Sequence, residues 1–399
     1  MSVRHSIIDG PALDAPESLQ SHLARLGHLP SGSREVIDVL DAAGLRGRGG
    51  AAFPVATKWR AVAERSRRDA VVLVNGAEGE PLSAKDRLVM ETRPHLVLDG
   101  ALLAARTVRA REVVVYVGEE HRRALAVMQH ALGERSAQER RSTRVLAAPA
   151  RYVAGEESAA VHFVNEGVAL PTTTPPRVFE RGVAGRPTLV QNVETLAHVA
   201  LAARHGGAVR GTALLTLSGA VPRRGVLEVA EGSSIGEALG RAGGPGDHGG
   251  ALLLGGYFGG WVDLDQAAAM PVDAAWLRSA GMALGCGVVA VLPASRCGVA
   301  ETARILGWLA EQSARQCGPC VFGLRAIAEA VQRIAERRPQ EGDLHRVERW
   351  SQQLAGRGAC KHPDGAAALL QSALRVFAGD FTMHQLRRTC VATARTAAA

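Results

Sequence analysis

Short apolar runs alternate with amphipathic stretches through the first half of the chain. The runs at 71–75, 112–118 and 143–149 have the length of buried strands, whereas the apolar positions of 95–108 recur with helical spacing. Strands that alternate with helices in this way are typical of a parallel α/β sheet. The pattern therefore predicts an α/β domain over residues 33–210.

The pattern of apolar positions changes on both sides of this domain. Residues 1–32 form a polar leader, and residues 211–285 contain short apolar runs, one helical stretch and glycine-rich turns, which indicate a small α+β module. Residues 286–399 contain four amphipathic stretches with helical spacing, which favour a helical bundle. These stretches are 300–314, 323–338, 344–358 and 365–377.

Composition narrows the class of protein only modestly. The 399 residues are 47% hydrophobic and 22% charged, as in ordinary globular proteins, and no apolar run reaches the roughly 18 residues that a membrane span needs. The first residues lack the apolar region of a secretory signal, and six cysteines are too few for a disulfide framework. We therefore expect a cytoplasmic protein without direct membrane insertion.

The net charge of +8 is carried almost wholly by arginine, since only Lys58, Lys85 and Lys361 among the 47 basic residues are lysines. Most arginines lie in helical stretches beside acidic residues, which is typical of solvated helix faces. Aromatic residues make up 4% of the chain, and no basic stripe contains interleaved aromatics. The charge therefore does not predict nucleic-acid binding, whereas a basic patch that docks an acidic protein stays open.

The first candidate site is a glycine-rich loop at 44–53, GLRGRGGAAF, which is followed by Lys58 on a predicted helix. Glycines allow the backbone to approach a ligand closely, and the start of a helix favours anions. Arg48 and Lys58 are cations that could pair with a phosphate. The loop has neither P-loop nor GxGxxG spacing, and a flexible turn with solvated arginines would account for the same residues.

The second candidate site directly follows a predicted strand and reads NGAEGEPLSAKDR over residues 75–87. Parallel α/β sheets bind ligands at the carboxyl ends of their strands. Lys58 and Lys85 fall in these first two motifs, and in so arginine-rich a chain a lysine marks a place that needs a compact ammonium group. A surface turn rich in salt bridges is the other interpretation.

Two shorter motifs follow. The stretch YVAGEES at 152–158 places a glycine and two carboxylates at a helix start, where carboxylates also complement the helix dipole. The stretch GRPTLVQNVET at 185–195 has a polar Gln191–Asn192 pair that opens a helix, and alone it is only a capped turn. Neither motif defines a function by itself.

The four motifs together, in this order, resemble the flavin subunit of respiratory complex I and its relatives in NAD-dependent hydrogenases and formate dehydrogenases. In that family the corresponding stretches read GLRGRGGAGFPTGLKW, NADExEPGTxKDR, GEETAL and GxPTxxNNVET. The resemblance extends from about residue 36 to about residue 378. It implies an α/β Rossmann-like FMN domain, a ubiquitin-like β-grasp module and a four-helix bundle that carries a [4Fe-4S] cluster.

The resemblance implies that FMN is held by residues from all four motifs. The residues that match family contacts to the phosphate and ribityl end are Gly47, Arg48, Gly49 and Lys58. Those that match contacts on the isoalloxazine side are Asn75, Glu78, Gly155, Glu156 and Glu157, and Asn192 matches the last polar contact. Ala77 stands where the family has an aspartate, and Gln191 where it has an asparagine.

A nicotinamide site for NAD(P)H as co-substrate is implied as well. Phe53, Glu80 and Glu157 match residues that hold NADH in the family, and the two carboxylates are implied to position the nicotinamide. Ala61 and Arg177 stand where the family has aromatic side chains. Because stacking on a base contributes about 1–3 kcal/mol per aromatic, these departures predict weaker NADH binding than the family norm.

The cysteines show a further departure from the family. The family has CxxCxxC and a fourth cysteine about forty residues later; Cys317, Cys320 and Cys360 match three of these places, and Ala314 occupies the first. Thiolates hold iron–sulfur clusters, and four is the usual number. The resemblance therefore implies a [4Fe-4S] cluster with three cysteine ligands and an uncertain fourth.

Two other interpretations of these cysteines stay open. His362 lies two residues after Cys360, and a Cys3His set would suit structural zinc as well as a cluster. Buried thiols without a metal are the third possibility. The remaining cysteines match no ligand position and are expected to be small core residues; they are Cys286, Cys297 and Cys390.

The sequence thus predicts an FMN-dependent oxidoreductase of the NAD(P)H dehydrogenase or diaphorase type. By resemblance, it would pass electrons from a hydride donor through FMN and an iron–sulfur cluster to a ferredoxin-like or small iron–sulfur partner, within a hetero-oligomer. Two alternatives remain. One is a scaffolding subunit that keeps the fold while its redox sites decay, and the other is an FMN protein with structural zinc.

Overall fold

Two compact units divide the chain in the computed structural model, which describes residues 6–206, 211–245, 250–293 and 295–390. The first unit is drawn from Met1–Gly79, Ser83–Leu215 and Glu228–Glu231. The second is drawn from Glu80–Leu82, Thr216–Leu227 and Gly232–Ala399.

The first unit is built on a four-stranded parallel sheet, which confirms the predicted α/β class. The strand order is β3-β2-β1-β4, and every neighbouring pair is parallel. The four strands are β1 (Ala70–Gly76), β2 (Ala110–Gly118), β3 (Thr143–Ala148) and β4 (Thr188–Asn192).

Helices cover this sheet because its central strands are apolar on both faces. Residues 70–74 of β1 are all fully buried, as expected for a parallel strand between two helical layers. The helices of the first unit are α1 (Leu19–Leu26), α2 (Glu35–Ala42), α3 (Val55–Arg65), α4 (Lys85–Thr92), α5 (Pro94–Val108), α6 (Arg122–Gly133), α7 (Ala137–Ser142), α8 (Glu157–Glu166) and α9 (Val193–His205).

The close crossing of α5 and α9 brings the motif after β1 near the motif after β4. Gly100 makes this possible, because a Cβ at that position would lie 2.0 Å from the carbonyl oxygen of Leu196. Any larger residue would push the two helices apart.

The predicted leader contributes one helix to the first unit. Ser18 caps α1 by accepting a hydrogen bond from the Ser21 N–H. The His22 side chain is fully buried, and its Nε2 lies 2.7 Å from Asp99 on α5. This contact anchors α1 to the unit.

A five-stranded mixed sheet forms the centre of the second unit. The strand order is β6-β5-β9-β7-β8; β5 and β9 are parallel, whereas β7 is antiparallel to both β8 and β9. The strands are β5 (Thr212–Gly219), β6 (Gly225–Ala230), β7 (Ala251–Leu254), β8 (Gly260–Asp263) and β9 (Val288–Leu292).

Helices lie between the strands of this sheet and follow its last strand. Among them α13 packs against α14, α14 against α15, α15 against α16, and α16 against α13. The helices are α10 (Ile235–Arg241), α11 (Leu264–Ala268), α12 (Ala274–Ser279), α13 (Gly298–Glu311), α14 (Arg325–Ala335), α15 (Asp343–Leu354), α16 (His362–Val376) and α17 (Ala378–Thr382), with π-helical turns at Pro319–Leu324 and Met383–Arg387.

No helix among the described residues is a candidate for a membrane span. None of their helices combines the length and the apolar character that crossing a bilayer requires.

Candidate functional site

The predicted motifs of the first unit meet at the carboxyl ends of the parallel strands. Asn75 near the end of β1 is paired with Asn192 at the end of β4. The Asn75 Nδ2 donates a hydrogen bond of 2.8 Å to the carbonyl oxygen of Gly155, which lies in the turn after β3. One edge of the sheet therefore carries residues from three motifs, at the position where α/β sheets bind ligands.

The glycine loop lies against the end of β4. Its ends are closed by a hydrogen bond of 2.9 Å from the Gly47 N–H to the Phe53 carbonyl oxygen. A Cβ at Gly49 would lie 3.3 Å from the Asn192 Cβ, whereas one at Gly50, which has a φ of 108°, would meet nothing within 4 Å. The loop thus presents open backbone beside Asn192, as a phosphate or ribityl cradle requires.

An unsatisfied polar atom lies beside this loop. The Oε1 of Gln191 is buried and has no hydrogen-bond partner within the described part of the chain. Its Nε2 lies 4.0 Å from the place that a Cβ on Gly47 would take. A buried acceptor without a partner costs about 1–3 kcal/mol, and a polar ligand in the cradle would remove that cost. The arrangement fits FMN.

Arg48 is directed toward the protein rather than into open space. Its backbone N–H donates to the Thr195 Oγ1 at 2.8 Å, and its guanidinium donates to the Thr212 carbonyl oxygen at 2.8 Å and to the Glu231 carboxylate. The Arg48 Nε lies 3.9 Å from the Glu194 Oε1. This nitrogen is buried and makes no hydrogen bond within the described residues. Arg48 therefore fixes the loop in place, and its predicted contact with the cofactor remains a prediction.

Lys58 and the third motif supply the charged groups of the site. The Lys58 Nζ on α3 forms an ion pair of 2.8 Å with Glu157 at the start of α8, and both side chains remain partly exposed. Glu156 caps α8 by accepting hydrogen bonds from the N–H groups of Ser158 and Ala159. Of the two predicted carboxylates, Glu157 is therefore the one next to a cation.

Glu78 stabilises the turn that leads into α4. Its φ of 42° is unusual for a residue with a side chain. Its carboxylate accepts hydrogen bonds from the Ser83 hydroxyl at 2.7 Å and from the N–H groups of Asp86 and Arg87 at 2.9 and 2.7 Å. These bonds secure the motif after β1, and the predicted flavin contact of Glu78 stays a prediction.

A buried network of charged side chains lies next to the end of β4 and stabilises the site. The Lys85 Nζ lies 2.8 Å from Glu194 and 3.0 Å from Asp86, and all three side chains are buried. The Asn192 Nδ2 donates to Asp86 at 2.7 Å, so the network connects directly to the end of β4. Burial alone would raise the pKa of Glu194, but Lys85, His198 and Arg48 lower it to about 2. The motif identified Lys85; nothing in the sequence pointed to Glu194 as its partner.

Phe53 and Glu80 are the other residues predicted to hold the nicotinamide, and they belong to different units of the chain. Their predicted role stays a prediction. Phe53 is 52% exposed at the end of the glycine loop. Glu80 belongs to the second unit, where its carboxylate accepts a hydrogen bond of 2.9 Å from the Tyr257 N–H. Gly256 is required beside it, because a Cβ there would lie 2.7 Å from the Glu80 carboxyl carbon.

Two of the predicted metal ligands, Cys317 and Cys320, lie at the π-helical turn before α14. The Cys317 carbonyl oxygen accepts hydrogen bonds of 3.0 and 2.9 Å from the N–H groups of Cys320 and Val321. Burial would raise the pKa of Cys317, but N–H groups of Ala359 and Cys320 directed at the thiol lower it. Hydrogen bonds to sulfur are a feature of iron–sulfur sites.

The third cysteine belongs to the same cluster of thiols. Burial, together with the nearby sulfurs of Cys317 and Cys360, raises the pKa of Cys320 to about 12. Three thiols that interact in this way fit a metal centre, since unligated cysteines have no reason to converge. Ala314, where the family has its first cysteine, is buried as well.

The three sulfurs do not all lie as close together as the ligands of one zinc ion would. Three thiolates around zinc, at about 2.3 Å each, would lie about 3.8 Å apart. The ligand atoms of Cys317, Cys320 and Cys360 do not all lie within 4.8 Å of one another. His362, the candidate fourth ligand, places its Nε2 2.7 Å from the Leu309 carbonyl oxygen and its ring against Phe258.

Comparison with known proteins agrees with this division of sites. Residues 40–201 match the family model of the Nuo51 FMN-binding domain, and residues 300–384 match that of the NADH-ubiquinone oxidoreductase-F iron-sulfur binding region. The chain is 30% identical over 380 residues to the F 2 subunit of NADH-quinone oxidoreductase of Rhizobium meliloti, an alignment that covers 89% of this chain and 90% of the relative. It therefore belongs to the family of NADH-quinone oxidoreductase F subunits.

This chain is also similar to proteins of NAD(P)-reducing hydrogenases. The chain is 26% identical over 414 residues to HndC, a subunit of the NADP-reducing hydrogenase of Solidesulfovibrio fructosivorans, with 96% of this chain and 84% of the relative covered. Crystal structures of an NAD+-reducing [NiFe]-hydrogenase match with TM-scores of 0.84 (air-oxidized) and 0.81 (H2-reduced) at 28% and 27% identity. They cover 96% and 91% of this chain, which spans only 67% and 66% of those chains. The predicted class, a flavin- and iron–sulfur-type oxidoreductase subunit, is confirmed.

Proposed function

We propose that this chain is the electron-entry subunit of a larger oxidoreductase: it binds FMN and NAD(P)H in its first unit and an iron–sulfur cluster in its second. FMN, when bound, supplies the conversion of a two-electron hydride donor into single electrons, which no side chain can perform. The electrons leave for a ferredoxin-like or small iron–sulfur protein. NADH and NADPH both remain candidate donors, because relatives named for each are similar to this chain.

The observation that carries the proposal is the meeting of the four motifs at one edge of the parallel sheet. Gly49 lies against Asn192, Asn75 bonds to Gly155, and Lys58 pairs with Glu157. A scaffold that had lost its cofactor would have no need for an open glycine cradle beside a buried, unsatisfied Gln191 Oε1. This favours the catalytic proposal over the scaffolding alternative.

Each group of this site has a defined task in the proposal. The cradle at Gly47–Gly50 and the Lys58 ammonium group hold the phosphate and ribityl end of the cofactor. Asn75 and Gln191 hold polar atoms of its ring system. Glu157, freed in part from Lys58 when a phosphate binds, and the exposed Phe53 position the nicotinamide. Hydride transfer requires no general base, so these side chains bind and orient only.

The cluster would be held by Cys317, Cys320 and Cys360. The N–H groups directed at Cys317 stabilise its thiolate form, which is the form that ligates iron. Ala314 contributes no ligand, so one iron would be coordinated by water or by a group outside this triad. We expect this iron to be the one most easily lost.

A surface for the acceptor lies beside these cysteines. Phe322, in the turn that contains Cys320, is 74% exposed, and it lines a cavity of about 380 Å³ together with Trp350 and Arg357. Exposed aromatic and arginine side chains are typical anchors of protein interfaces. In our proposal the ferredoxin-like partner docks here, within electron-transfer reach of the cluster.

The proposal also covers the folds of the sheet and the helices in the second unit. We assign the five-stranded sheet to a β-grasp module and the helices α13–α16 to the four-helix bundle of the family. The six cysteines lie in described parts of the chain and form no disulfide, which supports the cytoplasm as the location. Assembly with other subunits follows from the relatives, whose names describe them as subunits.

The proposal can be tested by separating flavin reduction from onward electron transfer. The full chain is purified without oxygen, and its FMN, iron and sulfide are measured. Reduction of a ferredoxin by NADH or NADPH is then compared between the natural protein and Cys320→Ser. We expect the variant to lose ferredoxin reduction but to keep flavin bleaching, and Cys286→Ser to retain both. Equal ferredoxin reduction by Cys320→Ser would contradict the role of the cluster.

A further inference from the structure

A second group of metal-binding side chains lies in the second unit, apart from the predicted cluster ligands. Cys297, His384 and Cys390 place their ligand atoms within 4.8 Å of one another. Cys297 immediately precedes α13, and the other two lie at or just after the π-helical turn that ends the described helices. Long stretches of chain separate Cys297 from the other two, so folding, not a sequence motif, brings them together.

The orientation of His384 is that of a metal-ligating imidazole. Its Nδ1 lies 3.0 Å from the Ile334 carbonyl oxygen, which can only accept, so Nδ1 carries the proton. The other ring nitrogen, Nε2, therefore has a free lone pair, and it faces the Cys297 Sγ at 3.5 Å. A backbone carbonyl that fixes the tautomer in this way is the usual support of a histidine ligand.

The distances match a tetrahedral ion. With a zinc–sulfur bond of about 2.3 Å and a zinc–nitrogen bond of about 2.05 Å, a ligating sulfur and nitrogen lie about 3.6 Å apart, and two sulfurs about 3.8 Å apart. The observed 3.5 Å between Cys297 and His384, and the limit of 4.8 Å for the whole set, agree with these values. A thiol–imidazole hydrogen bond would also give the first distance, but it would not require a third ligand atom within 4.8 Å.

Burial and charge also favour a metal. His384 is 1% exposed and Cys390 is 8% exposed, whereas Cys297 is half-buried. Two thiolates and a neutral imidazole balance the charge of a divalent ion, so the complex could be buried without a net charge. Because Cys297 is only half-buried, water could reach the ion as the fourth ligand.

We propose that Cys297, His384 and Cys390 bind one zinc ion, with water as the fourth ligand. Thiolate and imidazole ligands suit zinc, and this set is independent of the iron–sulfur ligands. The ion would fasten the end of the described chain to the start of α13. Two of the three cysteines that were expected from sequence to be small core residues, Cys297 and Cys390, would then have a structural task.

The test is the metal content of the full-length protein, purified without oxygen in the presence of reductant and then treated with EDTA to remove loosely bound ions. We expect about one zinc ion per chain in addition to iron and sulfide. If the purified protein lacks zinc, Zn2+ alone is titrated in against a chromophoric chelator. Cys297→Ser, Cys390→Ser and His384→Asn should each lose this zinc, whereas the matched control Cys286→Ser should keep it.

Iron and sulfide distinguish this site from the predicted cluster. In all four variants they should remain at the level of the natural protein, and circular dichroism should show that the fold is retained. Equal zinc in the natural protein and Cys390→Ser would overturn the proposal. So would zinc that disappears in Cys320→Ser instead, or a disulfide between Cys297 and Cys390 in the reduced, anaerobic preparation.

Discussion

The Lys58 Nζ lies 2.8 Å from the Glu157 Oε1. This ion pair joins α3, which follows the glycine loop, to α8, which begins at the third motif. Because both side chains are partly exposed, the pair itself adds little stability. In our proposal the pair matters because it places an ammonium group for the FMN phosphate beside a carboxylate for the nicotinamide.

Lys58→Ala should weaken FMN binding strongly. A charge-assisted contact to a phosphate contributes about 1.5–3 kcal/mol, which corresponds to a rise in the FMN dissociation constant of roughly tenfold to hundredfold. Quenching of flavin fluorescence on titration with apoprotein measures it. Lys361→Ala is the control, since that lysine is exposed and pairs with Asp364 in the second unit. Unchanged FMN affinity in Lys58→Ala would show that Lys58 does not bind the FMN phosphate.

Ala314→Cys should make the iron–sulfur cluster more resistant to oxygen. Ala314 stands where the family has its first cysteine, so the substitution supplies a fourth thiolate for an otherwise exposed iron. The side chain is buried, and the added sulfur is small. The iron-to-sulfide ratio after timed exposure to air measures the effect. Faster loss of iron in the variant than in the natural protein would show that residue 314 does not face the cluster.

Replacement of Lys85 should destabilise the first unit. In Lys85→Met, the carboxylates of Asp86 and Glu194 would remain buried without the Lys85 ammonium group, and removing one partner of a buried pair in this way costs about 3–5 kcal/mol. Lys361→Met, at an exposed position, serves as the control. Urea unfolding followed by flavin release measures the loss. A midpoint equal to that of the natural protein would show that the network contributes little.

The buried His22 should make the stability of the first unit depend on pH. Burial would lower the pKa of His22, but its bonds to Asp99 and Glu17 outweigh burial and raise it above 6.5. Its contribution is therefore complete below pH 6.5 and is lost as the pH rises through the folded-state value. His22 contacts Glu17, Asp99 and the ring of His95. The charged groups next to these carboxylates are Arg25 beside Glu17, and Arg135 and Arg204 beside Asp99.

Two groups near His22, Glu17 and His95, make the stability of the first unit fall at low pH. The pKa of Glu17 is lowered to about 2, because bonds to Arg25 and His22 overcome the effect of burial; its contribution is present above pH 4.5 and is lost as the pH falls toward 2. His95 has its pKa lowered to about 4 by burial and Arg135, so its contribution is lost as the pH falls below 6.5. His22→Asn should thus abolish only the decline in stability above pH 6.5, and His130→Asn, on the exposed face of α6, should not. Thermal unfolding from pH 5 to 9 tests this; an unchanged profile in His22→Asn would contradict it.

The sequence predicts the parallel sheet well, for a simple physical reason. The apolar run that forms β1 is buried on both faces, and this alone distinguishes it from the amphipathic helices around it. The motifs could be located for a similar reason, since ligands are bound where such strands end. Their order along the chain carried the family resemblance.

The long-range partners could not be predicted in the same way. Arg48 was a candidate phosphate ligand, yet its guanidinium bonds to Glu231, 183 residues further along the chain. No local spacing marks such a pair. Cys297 and His384 are likewise 87 residues apart, and only the packing of the helices brings them together.

Hydride transfer from a pyridine nucleotide to bound FMN is the central activity that we propose for this chain. The most direct measurement is the visible flavin absorbance of the anaerobic, full-length protein during addition of one equivalent of NADH and, separately, of NADPH. We predict a flavin spectrum before addition and bleaching by at least one of the two nucleotides, with a slower or incomplete response in Lys58→Ala because less flavin is bound. A protein that binds no FMN when FMN is supplied, or whose bound flavin is bleached by dithionite but by neither nucleotide, would contradict the proposal.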